Sequence, residues 1–435
     1  MSSQELRVRI DNKIESLEDD LVTLLSDLVS KQTVTGHEKP GQDLILGVFE
    51  EMGLETDVWI PDIDALEDHE GFFRTSAYDN VGFEDRPNVA ATLHGNGDGP
   101  TLSINSHMDV VPATPESEWT TSPWELRREG NQLYGRGSAD MKGGLAATVI
   151  AVKALQALDI ELDGDLILQS TIEEEAGGTG GLLSALERGY VPDAALIPEP
   201  FDLPNVGIAS AGVMYFEVSV PGESAHAAWG HEGVNSFLKS RLVVDELEAL
   251  NNRRQREIDF EPAYASDPAL EGNETNINIG MVEAGDWPST VPNETVFQGR
   301  VGWPPGESRA EIREQIETAV SAAAEQDEWL REHQPTVNWF GWNAAPHEVS
   351  TDAEIVQLAK AHAEEITGEP GEFVGGNASL DERFYQRYYD VPVVTAGPTG
   401  TNLHGVDECV ALDSLLTTSQ TIARTIVDYC GTVDS

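Results

Sequence analysis

The stretch DLILQST, from Asp165 to Thr171, runs into Ile172, the triplet Glu173-Glu174-Glu175, and then Ala176-Gly177-Gly178. A helical stretch over residues 180–188 follows, and after it the apolar run Ala194-Ala195-Leu196-Ile197. Two short apolar runs bounded by turn residues and separated by a helix make the strand–helix–strand unit of a parallel sheet. The same alternation continues in both directions. Upstream, residues 89–93 and 101–106 read as strands and 144–158 as a helix. Downstream, 391–396 reads as a strand between helices at 352–367 and 413–429. Near the start, Leu17, Leu21, Leu24, Leu25 and Leu28 recur at helical spacing, which predicts an amphipathic helix over 15–30. Ile45, Val48, Phe49 and Met52 repeat the pattern. The class is α/β, with a mostly parallel sheet flanked by helices.

Residues 211–343 break this rhythm. Met214, Phe216, Val218 and Val220 alternate as in a half-buried strand. A helix over 233–251, strands near 275–282 and 295–301, a helix over 307–324 and a strand over 336–342 follow. Strand–helix–strand–strand–helix–strand is the ferredoxin-like order. The segment therefore reads as an inserted α+β domain, with residues 1–210 and 344–435 forming the larger one. A chain of 435 residues exceeds the usual size of one core, which agrees with that division.

Composition excludes several classes of function. Against 26 basic residues stand 77 acidic ones, a formal net charge of −51. Such a field repels nucleic acid and anionic membrane surfaces. The acids are spread along the chain, which points to a protein adapted to a salt-rich cytoplasm, as in a halophile. Residues 1–10 are largely polar with no apolar signal-peptide region after them, and no run is long enough to span a bilayer. The two cysteines, Cys409 and Cys430, lack metal-site spacing and read as reduced thiols. The expectation is a soluble, cytoplasmic protein.

Five segments put metal-ligating side chains at the ends of expected strands, where α/β folds build sites. His107 and Asp109 flank Met108, so alternation puts them on one side of a strand. Asp140 sits within Gly135-Arg136-Gly137-Ser138-Ala139-Asp140-Met141-Lys142-Gly143-Gly144, whose glycines permit close backbone approach. Adjacent carboxylates at the bend after Thr171 can divide their work, one on a metal and one as general base. Glu199 follows residues 194–197 between two prolines, and His404 lies in a loop after 391–396. Taken singly, such residues are more often capping or surface groups. Together, two His, one Asp and two Glu make an oxygen-rich set without thiolate. It suits two divalent ions bridged by a carboxylate, with zinc favoured. Ions so paired activate water and polarise a carbonyl.

These motifs resemble the co-catalytic zinc family of acetylornithine deacetylase, succinyl-diaminopimelate desuccinylase, aminoacylase and bacterial glutamate carboxypeptidase. The resemblance covers the chain from about residue 15 onward. It implies that His107, Asp140 and Glu199 bind one zinc, and that Asp140, Glu175 and His404 bind the other, with cobalt or manganese as substitutes. It further implies that Glu174 is the general base, that Asp109 supports His107, and that the Asp140–Met141 peptide is cis. Glu173 stands where the family usually has Asp and receives no role.

The insertion resembles the family's lid. Gly222-Glu223-Ser224-Ala225-His226-Ala227 matches the lid histidine motif, which implies that His226 stabilises the oxyanion in the site of a neighbouring subunit. Gly299-Arg300 before Pro304-Pro305-Gly306 matches the lid arginine motif, which implies that Arg300 binds a substrate carboxylate. Gly375-Gly376-Asn377 through Asp381-Glu382-Arg383 resembles a glycine-rich stretch that makes Arg383 a second carboxylate ligand. The implied enzyme is a hydrolase of small N-acyl amino acids or peptides, a homodimer joined through its lids. A related aminopeptidase acting on free amino termini is the rival within enzymes. An inactive binding homologue is the rival outside them, although every ligand position and the base are filled.

Overall fold

The computed structural model describes residues 3–433, and the chain divides into two compact units. One comprises residues 1–208, 348–374 and 380–435, and the other residues 209–347 and 375–379. The second unit thus takes in a short segment from the glycine-rich stretch as well as the insertion.

The first unit is built on a mixed sheet. Its strands run Glu55–Trp59, Asn88–Leu93, Gly164–Thr171, Gly99–His107, Ala194–Ile197 and Val393–Thr395 in spatial order. The strands from Gly164–Thr171 through Val393–Thr395 pair in parallel, whereas Asn88–Leu93 and Glu55–Trp59 add antiparallel at one edge. The parallel strands are buried on both faces, and Ala194–Ile197 is wholly so. Helix Lys142–Ala157 is buried nearly all round, packed against Glu18–Val29, Leu412–Cys430 and strand Gly99–His107. Gly144 lets its first turn close onto the loop after Ala194–Ile197, because a Cβ there would lie 2.1 Å from the Pro198 carbonyl oxygen.

One element differs from the expectation over 15–30. The helix bearing Leu21, Leu24, Leu25 and Leu28 begins at Glu18, and a separate helix, Ser3–Glu15, precedes it. Ser3–Glu15 buries only Ile10 and Ile14, so it carries almost no apolar stripe for the sequence to reveal.

In the second unit the strand order is Asn276–Ala284, Glu294–Trp303, Gly212–Pro221, Thr336–Ala344, each neighbour antiparallel. That is the ferredoxin-like arrangement. Phe216, Val218, Val220, Phe297 and Trp303 form a core with Leu247 of helix Ser236–Glu257 and Ile312 and Ile316 of helix Arg309–Glu325. Ser308 and Glu311 close a reciprocal capping box at the start of the latter helix.

Candidate metal centre

The ends of three adjacent parallel strands deliver the first of the expected ligands. His107 is the last residue of Gly99–His107, the acidic triplet follows Gly164–Thr171, and Glu199 follows Ala194–Ile197. Asp140 comes from the turn before helix Lys142–Ala157 and is joined to Met141 by a cis peptide, and His404 comes from the loop after Val393–Thr395.

These side chains converge around Asp140. His107 Nε2 lies 3.2 Å from Asp140 Oδ1 and 3.2 Å from Glu199 Oε1. On the other side His404 Nε2 lies 3.3 Å from Asp140 Oδ2 and 3.1 Å from Glu175 Oε2. Asp140 thus presents one oxygen to each imidazole. Among the described residues, ligand atoms of His107, Glu174 and Glu199 gather within 4.8 Å of one another, as do those of His107, Asp140 and Glu175. Glu174 therefore stands as close to this centre as the expected ligands do.

His107 Nδ1 lies 2.9 Å from the main-chain oxygen of Asp109. That oxygen can only accept, so Nδ1 carries a hydrogen and Nε2 is the nitrogen that faces the carboxylates, donating to them here and available to a cation once it gives up its proton. The Asp109 carboxylate lies farther off, 3.6 Å from Nδ1. Its shorter contacts are elsewhere. Oδ1 accepts the Glu174 N–H at 3.1 Å, while Oδ2 accepts the Glu175 N–H at 3.2 Å and the Thr35 hydroxyl at 2.8 Å. Asp109 thus holds the bend of the acidic triplet as well as His107.

The site concentrates negative charge out of water. Burial, with Asp140 nearby, pushes Glu175 up to about 7, and burial pushes Glu199 up to about 8. Glu174 is driven well above the carboxylate range, again by burial first. Burial acts on Asp140 in the same sense, but the hydrogen bonds from His107 and His404 overcome it and hold that carboxyl below its ordinary range. His404, bonded to Asp140 and Glu175, is pushed up to about 10. Carboxylates outnumber the imidazoles that could neutralise them, and all offer oxygen or nitrogen lone pairs to one small volume. That donor set fits divalent cations.

Glu173, to which the sequence assigned nothing, is a structural anchor. It is buried, adopts φ 54°, and accepts from Gly180 N at 2.7 Å and from the hydroxyls of Thr75 and Thr179. Arg86 pairs with it at 3.1 Å and with Glu38 at 2.7 Å. The left-handed backbone at Glu173 turns the chain so that Glu174 and Glu175 follow at the strand end.

Arg383 is held inside the first unit. Its guanidinium is 1% exposed and lies 4.0 Å from the Phe384 ring centre. Its donors go to the Leu380 carbonyl at 2.7 Å and to the Gly177 carbonyl, with Asp381 beside it at 3.6 Å. A cation so enclosed secures the glycine turn after the acidic triplet.

His226 and Arg300 belong to the second unit. His226 is exposed, and its Nδ1 accepts from Ala228 N at 3.1 Å, beside Trp229. Arg300 is half-buried, donates to Asn276 Oδ1 at 2.7 Å and lies 3.4 Å from the Asn377 carbonyl oxygen. Among the described residues it forms no ion pair, in a chain with 77 acidic residues.

Comparison with known proteins agrees with this geometry. Residues 103–428 match the model of peptidase family M20/M25/M40. The chain belongs to that family. It is a metal-dependent hydrolase of amide bonds. N-formyl-4-amino-5-aminomethyl-2-methylpyrimidine deformylase of Halalkalibacterium halodurans is 26% identical over 449 aligned residues, covering 98% of this chain and 97% of that one. Among solved structures, the di-peptidase Dug1p of Saccharomyces cerevisiae superposes with a TM-score of 0.75 at 16% identity, covering 99% of each chain. The YXEP protein of Bacillus subtilis, a dinuclear metal-binding peptidase of the M20 family, does so with a TM-score of 0.65 at 18% identity. That alignment covers 95% of this chain and 98% of YXEP.

Proposed function

We propose that this M20 enzyme removes the acyl group from small N-acylated amines, N-acyl amino acids foremost, using two zinc ions. One observation carries the reading: Asp140 shares its two oxygens between His107, beside Glu199, and His404, beside Glu175. In this reading His107, Asp140 and Glu199 hold one ion and Asp140, Glu175 and His404 the other. Bound there, the ions supply Lewis acidity to the scissile carbonyl and acidify water. Glu174 takes the proton of the attacking water and delivers it to the departing amine. Asp109 keeps Glu174 in place through its main-chain N–H. His226 donates to the developing oxyanion, and Arg300, which has no acidic partner among the described residues, binds a substrate carboxylate through its planar fork. The relative's name, a deformylase, supports an N-acyl substrate over a free amino terminus.

The same reading makes the protein a cytoplasmic homodimer. Its interface lies on the second unit, where the edge strand Asn276–Ala284 exposes Met281 and Val282, and Trp229 and Trp287 are also exposed. The test is turnover by zinc-loaded protein on matched panels of N-formyl, N-acetyl and N-succinyl amino acids and of free dipeptides. Cleavage of N-acyl compounds supports the proposal. Cleavage confined to substrates with a free amino terminus replaces it with a dipeptidase.

A further inference from the structure

We propose that the buried pair Arg136–Glu408 is a positioning device. It ties the loop carrying Asp140 to the loop carrying His404 and so sets the affinity of the ion those residues share with Glu175. The inference rests on the two-metal reading above.

Glu408 is 0% exposed, and its carboxylate accepts the main-chain N–H groups of Gly137 at 3.0 Å, Ala139 at 3.0 Å and Asp140 at 3.1 Å. Arg136, 2% exposed, donates Nη1 to Glu408 Oε2 at 2.5 Å. Its Nη2 donates to the carbonyls of His404 at 3.1 Å and Gly405 at 3.0 Å. Just beyond, strands Gln132–Tyr134 and Cys409–Ala411 pair antiparallel, with Tyr134 opposite Cys409. The ladder fixes the bases of the two loops, and the ion pair fixes their tips.

Stability alone is a poor account of this pair. Two charges taken out of water often contribute no more than well-packed apolar groups of the same volume. The hydrogen bonds also fall on particular atoms, since Asp140 donates its own N–H and His404 offers its own carbonyl. The two imidazoles differ in how they are held. His107 ends a central strand, is buried, and is oriented through Nδ1 by the Asp109 carbonyl. The His404 side chain is 55% exposed, and among the described residues its ring pairs with Asp140 and Glu175 alone. Its backbone must therefore be held, and Arg136 holds it. Losing the pair should weaken the ion at His404 more than the ion at His107, because both loops that hold the first are freed and only the Asp140 loop of the second.

The experiment titrates the full-length, metal-free chain with Co²⁺, followed by visible absorption, and with Zn²⁺ in competition with a chromogenic chelator. Wild type, Glu408→Gln and Arg136→Lys are compared, with His404→Ala and Glu199→Ala marking the loss of one site or the other. Failure of the wild type to bind two ions overturns the metal reading itself. Given two, Glu408→Gln should bind one ion ~10–100-fold more weakly, the range seen when groups orienting ligands are lost, and the other with a clearly smaller loss. That pattern should match His404→Ala and not Glu199→Ala. Arg136→Lys keeps the charge but lacks the second nitrogen, so it should weaken the same ion by less. If Glu408→Gln fails to fold in thermal melts, Arg136→Lys carries the test with the same readout. Equal weakening of both ions, or unchanged affinity for both, overturns the inference.

Discussion

Replacing Asp109 with asparagine tests whether that carboxylate supports the bend that carries Glu174. Asp109 is fully buried and accepts three hydrogen bonds: the Glu174 N–H on Oδ1, and the Glu175 N–H and Thr35 hydroxyl on Oδ2. An amide has one acceptor oxygen. Placing it where Oδ2 stood keeps two bonds and sets an NH₂ group against the Glu174 N–H. The reverse orientation loses more, so the first prevails. The lost bond to a charged acceptor is worth about 1.5–3 kcal/mol. Burial already disfavours the Asp109 charge, and a neutral side chain avoids that cost. The net destabilisation of Asp109→Asn should therefore fall near the lower end, about 2 kcal/mol. Urea unfolding of the metal-free protein should show a lower midpoint with an unchanged slope. Asp109→Ala should lower the midpoint further, because it leaves both buried N–H groups without an acceptor. Under the proposed mechanism the displaced Glu174 should also cut kcat, by about 10²-fold for a misplacement near 1 Å. An asparagine variant with the wild-type midpoint and kcat would refute the argument that this carboxylate holds the bend.

The adjacent glutamates should separate in their effects. Glu174→Gln is expected to lower kcat by about 10²–10⁴-fold with both ions retained. Glu175→Ala should lose one ion, and metal analysis with the phenotypes reversed would show that the roles are exchanged. Mixing the inactive variants Glu174→Ala and His226→Ala under subunit exchange should restore activity, because His226 is expected to serve the partner's site. Proven exchange without recovery would remove that role. The net charge of −51 should make the fold salt-dependent. Raising KCl from about 0.1 M to 1 M shrinks the Debye length from about 10 Å to 3 Å, so the melting temperature should rise. A constant or falling value would end the case for adaptation to a salt-rich cytoplasm.

Sequence periodicity reports which face of an element meets a core, and here it reported well. The alternation at Met214, Phe216, Val218 and Val220 fell on buried positions, and the apolar run 194–197 became a strand buried throughout. The element order of 211–343 carried enough information for its ferredoxin-like topology, because few sheets can accommodate that order with short connections. Ligand-type residues at strand ends were legible for the same reason, since a strand's end in an α/β sheet is where a site forms.

What only the tertiary structure decided is which atoms meet. Periodicity does not say which strand lies beside which, and Asn88–Leu93 pairs antiparallel with Gly164–Thr171 rather than with its sequence neighbour Gly99–His107. A guanidinium suits carboxylates and carbonyls alike, so the type of Arg383 could not reveal that its donors go to Leu380 and Gly177. Glu408, four residues after His404, carried no signal in an acid-rich chain. Its partner Arg136 stood inside the glycine-flanked motif without a role. Both acquire meaning from hydrogen bonds that close loops 268 to 272 residues long. Local sequence determined the surfaces and the chemistry available. The contacts that turn scattered carboxylates into one candidate metal centre are long-range, and only the packed chain selects them.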